Sequence, residues 1–331
     1  MREIITMTPA IYSEDEIGRR IILFDEIRHP HKLLSEIHRA LNIVRAEVSQ
    51  SRADMVERAK LNPGMTTKPS PLPLICVIGP SGTAKSHVIK TYYEDVCRTE
   101  NWPAGKRPVF DFELSVDANK RQFHVDALTA LNDPDPEKGN ESVLRRRFGK
   151  LTNGFGVELG LCDEVQHFIA SDTGKRTKSV IDAMKKTLNT GVCGLGLFGT
   201  EKASAIFEAS EEFGQRAHLR FDLKGGSPDV ADDRALFVAF LKTFRTEIEK
   251  LGILTSAKTL ENAETIGCLF LQANGRLGLT QRIMKAALRV ALERGATTLL
   301  PAHFAVAIDR GRLLFGLKEN HFASYAESFA A

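Results

Sequence analysis

Apolar and polar positions follow two different periods along this chain. Up to about residue 225, short apolar runs of strand type alternate with segments whose apolar residues recur every three to four positions. Beyond residue 225 only the helical period remains, in segments at 232–251, 267–273, 280–294 and 302–312. Alternating strands and helices form parallel sheets because a parallel crossover needs a helix. The pattern therefore predicts a parallel-sheet α/β domain with an all-helical lid.

The individual segments give provisional boundaries. Apolar runs predict strands at 74–78, 107–114, 157–163 and 192–198. Helical spacing predicts helices at 87–99, 123–131, 141–151 and 179–188. A charged helical region at 15–60 is interrupted by Pro30, and a proline-rich loop follows at 61–73. We expect a helical lead-in at 1–70, a nucleotide-binding domain at 71–225, a lid at 226–315 and a tail at 316–331.

Composition narrows the class of protein only slightly. The 331 residues are 26% charged and 43% apolar, with a formal net charge of +3, which is ordinary for a globular protein and neither demands nor excludes nucleic acid. The five cysteines are scattered, which predicts reduced core residues and a cytoplasmic protein. No apolar run is long enough for a membrane span, and the N-terminus lacks the apolar region of a signal peptide.

The strand at 74–78 runs directly into a glycine-bearing loop that ends in Lys-Ser. This order of strand, loop and helix is that of a phosphate-binding P-loop. Its residues are Gly79, Pro80, Ser81, Gly82, Thr83, Ala84, Lys85 and Ser86. The backbone N–H groups would cradle phosphates, Lys85 would reach the β- and γ-phosphates, and Ser86 would hold Mg²⁺. Ala84 stands where the usual pattern has glycine, and its additional methyl group raises the question of how fast such a loop supports hydrolysis.

An acidic pair, Asp163-Glu164, ends the strand predicted at 157–163. This is the layout of a Walker B motif, in which Asp163 would hold Mg²⁺ and Glu164 would act as general base on the attacking water. The alternative is a surface pair that opens a helix and interacts with its dipole. The order and distance from the P-loop favour the catalytic interpretation.

The strand predicted at 192–198 ends in Gly199-Thr200. In P-loop ATPases with an additional strand, a polar residue at this strand end points at the γ-phosphate and the attacking water. Thr200 is therefore the candidate sensor residue. The alternative, a simple turn with a helix N-cap, stays open at this point.

These motifs stand in the order of a known family. The P-loop, the segments 163–168 and 199–203, the Leu219-Arg220-Phe221 stretch and the helix entry at 275–287 together resemble the AAA+ ATPases of transposons, of the TniB/TnsC type. The resemblance extends from about residue 15 to 312. The chain departs from the family pattern at Ala84 and at Gln166, and the tail after 312 has no counterpart.

The resemblance implies an α/β P-loop AAA+ domain and an ATP-dependent, DNA-binding regulator of transposition. Such a protein would assemble on duplex DNA as a ring or filament and recruit a transposase, together with target-selection proteins. An arginine of one subunit would complete the neighbouring ATP site, with Arg216 and Arg220 as candidates. A lid arginine would contact the γ-phosphate, and Arg276 and Arg282 are both candidates. ATP and Mg²⁺ are the implied cofactors.

Basic residues following the second and third strands are candidates for DNA contact. Lys120 and Arg121 lie where the family's filaments grip the DNA backbone, and Lys175, Arg176 and Lys178 form a second group. Lysine and arginine neutralise phosphates without reading sequence. The run 145–147 is interpreted as a solvated helix face, because three adjacent arginines on a helix point in different directions.

Two other functions remain open from the sequence. The first is a nucleotide-switched binding protein with weak hydrolysis, which Ala84 and the interrupted strand before Asp163 motivate. The second is an AAA+ ATPase of defence or helicase loading. His167 is interpreted as a packed helix histidine, since no further ligands have the spacing of a zinc site.

Overall fold

The computed structural model describes residues 12–63, 68–116, 118–168, 175–206 and 210–325. Spatial contacts divide the chain into two compact units. The sheet unit consists of His31–Ser81 and Lys85–Leu223, and the helical unit consists of Met1–Pro30, Gly82–Ala84 and Lys224–Ala331. Each unit contains buried apolar clusters of its own.

The elements alternate up to the fifth strand and are helical afterwards. In chain order the helices are α1 (Glu14–Asp25), α2 (Lys32–Leu61), α3 (Lys85–Thr99), α4 (Lys120–Ala130), α5 (Glu141–Phe155), α6 (Lys175–Asn189), α7 (Glu211–Gly214), α8 (Ala231–Lys250), α9 (Ala263–Ala273), α10 (Leu277–Glu293) and α11 (Pro301–Phe315). The strands are β1 (Leu74–Ile78), β2 (Val109–Glu113), β3 (Leu159–Asp163), β4 (Gly194–Gly199) and β5 (Ala217–Asp222). Short 3₁₀ helices occupy Val165–Phe168, Glu201–Ser204, Lys258–Glu261 and Ala323–Tyr325.

The five strands form one parallel sheet in the order β2-β3-β4-β1-β5. Strands β1 and β4 are buried along their whole length, as expected for continuous apolar runs covered by helices on both faces. Because β1 lies beside β4, and β4 beside β3, the carboxyl ends of these three strands meet at one edge of the sheet. Ile78 at the end of β1 pairs with Gly199 at the end of β4. The P-loop and the segments that follow β3 and β4, which contain the predicted site residues, therefore lie at this edge.

Helix α2 is fastened to the sheet by two arginines on its inner face. Arg45 is only 7% exposed, and its guanidinium binds the carboxylate of Glu100 through two bonds of 2.8 and 2.9 Å and that of Glu158 at 2.8 Å. The Nη2 atom of Arg52 donates to the carbonyls of Val157 and Val192, both at 2.6 Å. These bonds satisfy backbone carbonyls just before β3 and β4, so α2 is part of the sheet unit.

Helix α1 belongs to the helical unit. Phe24 of α1 packs its ring 5.3 Å from that of Phe244 in α8. The Lys285 ammonium on α10 donates to Asp25 at 2.5 Å, and Arg20 donates to the carbonyl of Ile253 at 2.7 Å. The unit is therefore a bundle of α1 with α8 to α11 around a phenylalanine-rich core.

The predicted fold class, with its parallel sheet and later helices, is confirmed, and the four predicted strands are present. The fifth strand, β5, was not predicted, because its sequence is short and charged and it lies at the sheet edge. Spatial contacts divide the predicted lead-in at Pro30, assigning α1 and α2 to different units. The boundaries proposed at 70, 225 and 315 stay predictions.

Candidate functional site

The P-loop connects β1 to α3 and wraps around the Lys85 side chain. The Lys85 ammonium donates to the carbonyls of Gly79 at 2.6 Å and Pro80 at 2.9 Å, and the residue is 7% exposed. Burial lowers the pKa of Lys85, while the nearby carboxylates of Asp163 and Glu164 oppose that shift. Among the described residues, the hydrogen bonds of this buried ammonium go to neutral carbonyls, so an anion such as a phosphate could replace them with a stronger, charge-assisted bond.

Ser86 and Asp163 meet directly beside the loop. The Ser86 hydroxyl donates to Oδ2 of Asp163 at 2.8 Å, and the backbone N–H of Glu164 donates to Oδ1 at 2.8 Å. Burial raises the pKa of the Asp163 carboxyl, and these two hydrogen bonds partly offset the rise. The predicted pair of oxygen ligands is thus brought together from α3 and β3.

Glu164 follows Asp163 in an unusual backbone conformation. Its φ of 54° lies in the left-handed region, which non-glycine residues seldom occupy outside functional or strained sites. Its carboxylate accepts a hydrogen bond from the side-chain amide of Gln166, and Nε2 of His167 lies 3.8 Å from it. The other ring nitrogen of His167, Nδ1, lies 2.9 Å from the carbonyl oxygen of Leu114.

Thr200 comes to the same place from the end of β4. Its backbone N–H donates to Oε1 of Gln166 at 2.9 Å. Its hydroxyl oxygen is buried and has no hydrogen-bond partner within the part of the chain that the structure describes. Buried polar atoms without partners are rare, and one at a candidate phosphate site is consistent with a ligand contact. Thr200 stands at the N-cap position of the following 3₁₀ helix, as in the alternative left open above, but no side-chain capping bond from it occurs within the described residues.

Ala84 has a left-handed backbone, with φ of 72°, and so does Gly82, two positions before it, with φ of 83°. The loop therefore has the backbone for which the usual glycine is suited, and alanine adopts it at a cost of about 1–2 kcal/mol. Within the helical unit, the Gly82 carbonyl accepts the Leu279 N–H at 2.9 Å. A Cβ atom on Gly278 would lie 2.8 Å from the backbone nitrogen of Ala84, so this approach requires glycine.

The two finger candidates lie on or next to the edge strand β5. Arg220 is half-exposed and donates to Asp222 at 2.9 Å and to Ser204 at 3.2 Å. Arg216 precedes β5 and bonds the side chain of Asn189. The start of β5 pairs with Leu74, the first residue of β1, so Arg216 lies at the edge of the sheet opposite the P-loop.

The two lid candidates are neighbours in the helical unit. Arg276 precedes α10 and donates through Nε to the carbonyl of Ala273 at 3.1 Å. Burial and the positive charge of Arg282 together lower the pKa of Arg276. The Arg282 guanidinium would lie 3.0 Å from a Cβ atom placed on Gly82, which makes it a direct neighbour of that residue.

The two predicted basic groups lie side by side, since α4 and α6 pack together. The backbone N–H of Lys120, at the start of α4, donates to the Ser179 hydroxyl on α6 at 3.4 Å. Lys120 and Lys178 are both exposed. Arg121 instead donates to the carbonyls of Glu137 and Gly139, which leaves its guanidinium occupied by the chain itself. The side chains of Lys175 and Arg176 lie outside the described residues.

The residues at this edge fit ATP with Mg²⁺. Lys85 is a buried cation beside backbone carbonyls, and the side-chain oxygens of Ser86 and Asp163, both suited to bind Mg²⁺, lie together. The Thr200 hydroxyl has no partner among the residues that the structure describes. Mg²⁺ prefers oxygen ligands such as these and is commonly held by one or two protein groups together with phosphates. No cluster of three or more histidine, cysteine or acidic side chains that could hold a different metal ion occurs among the described residues.

Two features of the site were not predicted from the sequence. In the sequence, Gln166 stands out only as a departure from the family pattern. In the structure, its side-chain amide joins Glu164 to Thr200. Gly199 is needed because a Cβ atom there would lie 2.6 Å from Val165 and 2.9 Å from Oε1 of Gln166. The only sequence signal was a polar residue two positions after the acidic pair.

Among the described helices, none combines the length and apolar character that a membrane crossing requires.

Comparison with known proteins gives matches in both sequence and fold. The family model described as bacterial TniB protein matches residues 48–224. A search of curated proteins gave no match.

Among solved structures, the Aeropyrum pernix ORC2 protein in its ADP form aligns with a TM-score of 0.57 at 14% identity, over 87% of this chain and 72% of that chain. Its ADPNP–ADP complexes align with a TM-score of 0.53 at 12% identity, over 87% and 71%. The A. pernix ORC1 protein in complex with DNA aligns with a TM-score of 0.51 at 13% identity, over 89% and 70%. At these identities the likeness concerns the fold.

Proposed function

Because the chain belongs to the TniB family of bacterial proteins and has an AAA+ fold, we propose that it is an ATP-hydrolysing regulator of DNA transposition. One observation carries the proposal. Lys85, Ser86, Asp163, Glu164 and Thr200 come from two strand ends and the start of one helix, yet they meet at one edge of the sheet. A structural explanation of any one of them would not account for all five.

In the proposed site each group has a separate task. The P-loop backbone and Lys85 hold the phosphates, and Ser86 and Asp163 hold Mg²⁺. Bound Mg²⁺ would neutralise charge that develops on the transferred phosphoryl group. Glu164 accepts the proton of the attacking water, and the Thr200 hydroxyl orients that water or the γ-phosphate.

We further propose that the protein acts as an oligomer, a ring or filament, on double-stranded DNA. Arg220 on the edge strand and Arg216 at the edge opposite the P-loop are the proposed fingers for a neighbouring copy, and the one that acts would have to exchange its present bonds, to Asp222 and Ser204 or to Asn189, for the phosphate. Arg276 and Arg282 are proposed to contact the nucleotide from the lid. Mutual repulsion of these two guanidiniums would be relieved by a bound polyphosphate.

Lys120 and Lys178, with Lys175 and Arg176 at the start of α6, are proposed to bind the DNA backbone. Exposed lysines at the starts of two packed helices supply a local basic surface that the net charge of +3 does not. Arg121 has a weaker case, because its guanidinium is bonded to backbone carbonyls. In the assembled state the protein would recruit a transposase.

The nucleotide-switched alternative has one observation in its favour, the left-handed backbone at Ala84. A single experiment separates the two functions. ATP turnover is measured with and without duplex DNA for the parent and for Lys85→Ala. Turnover by the parent that Lys85→Ala abolishes would support the ATPase. Nucleotide binding without turnover, both with and without DNA, would support the switch.

The DNA assignment has its own test. Replacing both Lys120 and Lys178 with alanine should weaken binding to all duplex sequences alike and lower the slope of log affinity against log salt by about 1 for each phosphate that the protein no longer neutralises. The matched control replaces Lys60 and Lys258, which are exposed lysines elsewhere. Unchanged affinity and slope in the double variant would contradict the assignment.

A further inference from the structure

Gln166 uses both ends of its side-chain amide. The oxygen Oε1 accepts the Thr200 backbone N–H at 2.9 Å, and the nitrogen Nε2 donates to Oε2 of the Glu164 carboxylate. A backbone N–H is always a donor and an ionised carboxylate is always an acceptor, so only one orientation of the amide satisfies both. The two partners therefore determine which end of the Gln166 amide is oxygen and which is nitrogen.

Packing holds the amide where these bonds need it. Gln166 lies in the 3₁₀ turn that begins with the fully buried Val165. The turn is closed by a bond from the His167 N–H to the Glu164 carbonyl at 2.9 Å. The end of β4 approaches so closely that Gly199 leaves no room for a Cβ atom between Val165 and Oε1 of Gln166.

From this geometry we propose that Gln166 is a positioning residue for hydrolysis, an inference that rests on the proposed ATPase function. It holds the carboxylate of Glu164 in a fixed relation to the end of β4, which carries Thr200. A glutamate side chain has three rotatable bonds, and misplacing a catalytic group by about 1 Å costs on the order of a hundredfold in rate. The bond from Gln166 occupies one carboxylate oxygen, and the second oxygen is the one that would take the proton of the attacking water.

The two hydrogen bonds of Gln166, here called the Gln166 bridge, also link the end of β3 to the end of β4. A ligand contact that moves the Thr200 peptide also moves Oε1 of Gln166, and with it the donor that holds Glu164. The position of the base is therefore linked to the group proposed to sense the γ-phosphate. Gln166 supplies a continuous set of hydrogen bonds between the two strand ends through which such coupling can act.

The principal variant is Gln166→Met, which keeps the length of the side chain and removes both hydrogen bonds. We expect kcat for ATP to fall ten- to hundredfold, with the dissociation constant of a fluorescent ATP analogue changed by less than twofold. The matched control is Gln272→Met. Gln272 is buried and also uses both amide ends, donating to the Glu319 carbonyl and accepting the His321 N–H, each at 2.9 Å, within the helical unit. It should lose stability without losing turnover.

A second variant separates positioning from simple structural support. Gln166→Glu can still accept the Thr200 N–H, but it places a second carboxylate against Glu164. It has no N–H to donate to Glu164, so the bond to Glu164 is lost while the bond to Thr200 is kept. kcat should therefore fall at least as far as in Gln166→Met, while the dissociation constant of the ATP analogue changes by less than twofold, a split that a merely structural role would not produce.

The bridge can also be tested without turnover. In nucleotide-free protein labelled with ¹⁵N-threonine, both Gln166→Met and Glu164→Ala should shift the Thr200 amide resonance. A parent protein without turnover would overturn the proposed hydrolysis and, with it, the catalytic role of Gln166. An active parent with unchanged kcat in Gln166→Met, a raised kcat, or an unmoved Thr200 resonance in Glu164→Ala would overturn the inference alone.

Discussion

Replacing Ala84 with glycine should relieve backbone strain in the P-loop. Ala84 has φ of 72°, a conformation that costs an L-residue about 1–2 kcal/mol and glycine almost nothing. Two terms oppose the gain. Glycine adds about 0.4–1 kcal/mol of conformational entropy to the unfolded chain, and removing a half-buried methyl group costs up to about 0.8 kcal/mol. These terms place Ala84→Gly between about 0.8 kcal/mol of destabilisation and about 1.6 kcal/mol of stabilisation, with a central expectation of about 0.4 kcal/mol of stabilisation.

A matched substitution isolates the strain. Ala53 is exposed in the middle of α2, where Ala→Gly carries the same entropy cost and should destabilise by about 1 kcal/mol. Urea unfolding of the nucleotide-free parent and both variants gives the two free-energy changes. Their difference should be about 1–2 kcal/mol in favour of Ala84→Gly. Equal destabilisation by both substitutions would refute the conclusion that Ala84 is strained.

The same variant bears on catalysis. Strain at Ala84 is a cost of the folded loop, and it persists with or without nucleotide if the loop keeps one conformation. In that case Ala84→Gly leaves kcat within about twofold of the parent, whatever the net change in stability. A larger increase in kcat would indicate that the loop changes conformation during turnover and that alanine slows that change.

Three further predictions concern the site and its supports. Lys85→Ala should abolish ATP binding measured by calorimetry, whereas Lys60→Ala on the exposed end of α2 should not; retained affinity in Lys85→Ala would contradict the phosphate assignment. Gly199→Ala should lower the free energy of unfolding by about 1–3 kcal/mol, because its Cβ would lie 2.6 Å from Val165, while Gly18→Ala, in the open on α1, should raise it by about 0.5–1 kcal/mol. Burial lowers the pKa of both His124 and His303 to about 4, so the unfolded chain takes up protons first as the pH falls below about 6.5. The free energy of unfolding should therefore fall as the pH drops from about 6.5 towards about 4. At pH 5 the loss should be roughly 2 kcal/mol per histidine. A urea midpoint equal at pH 7 and pH 5 would contradict this.

The sequence predicts those parts of the site whose residues directly follow a strand in the chain. Lys85 and Ser86 follow an apolar strand within one P-loop, and Asp163 ends another strand, so strand order alone brings their loops to one edge. The parallel sheet and the later helices follow from hydrophobic period in the same way.

Features that depend on approach between distant segments were not predictable. The role of Gln166 requires β3 and β4 to lie so close that Gly199 has no room for a side chain. The proximity of Lys120 to Lys178 follows from packing of α4 on α6, and the backbone of Ala84 follows from closure of the loop. Strand β5 lacked the continuous apolar run that marks the interior strands.

The most direct test of nucleotide-driven control is ATP turnover and assembly of Glu164→Gln on duplex DNA. Removing the general base while keeping the side chain's size should leave ATP affinity unchanged and lower phosphate release at least a hundredfold. The variant should then accumulate on DNA as ATP-bound oligomers that the parent disassembles, visible by electron microscopy. Phosphate release by Glu164→Gln at the parent rate, with no accumulation on DNA, would contradict the account.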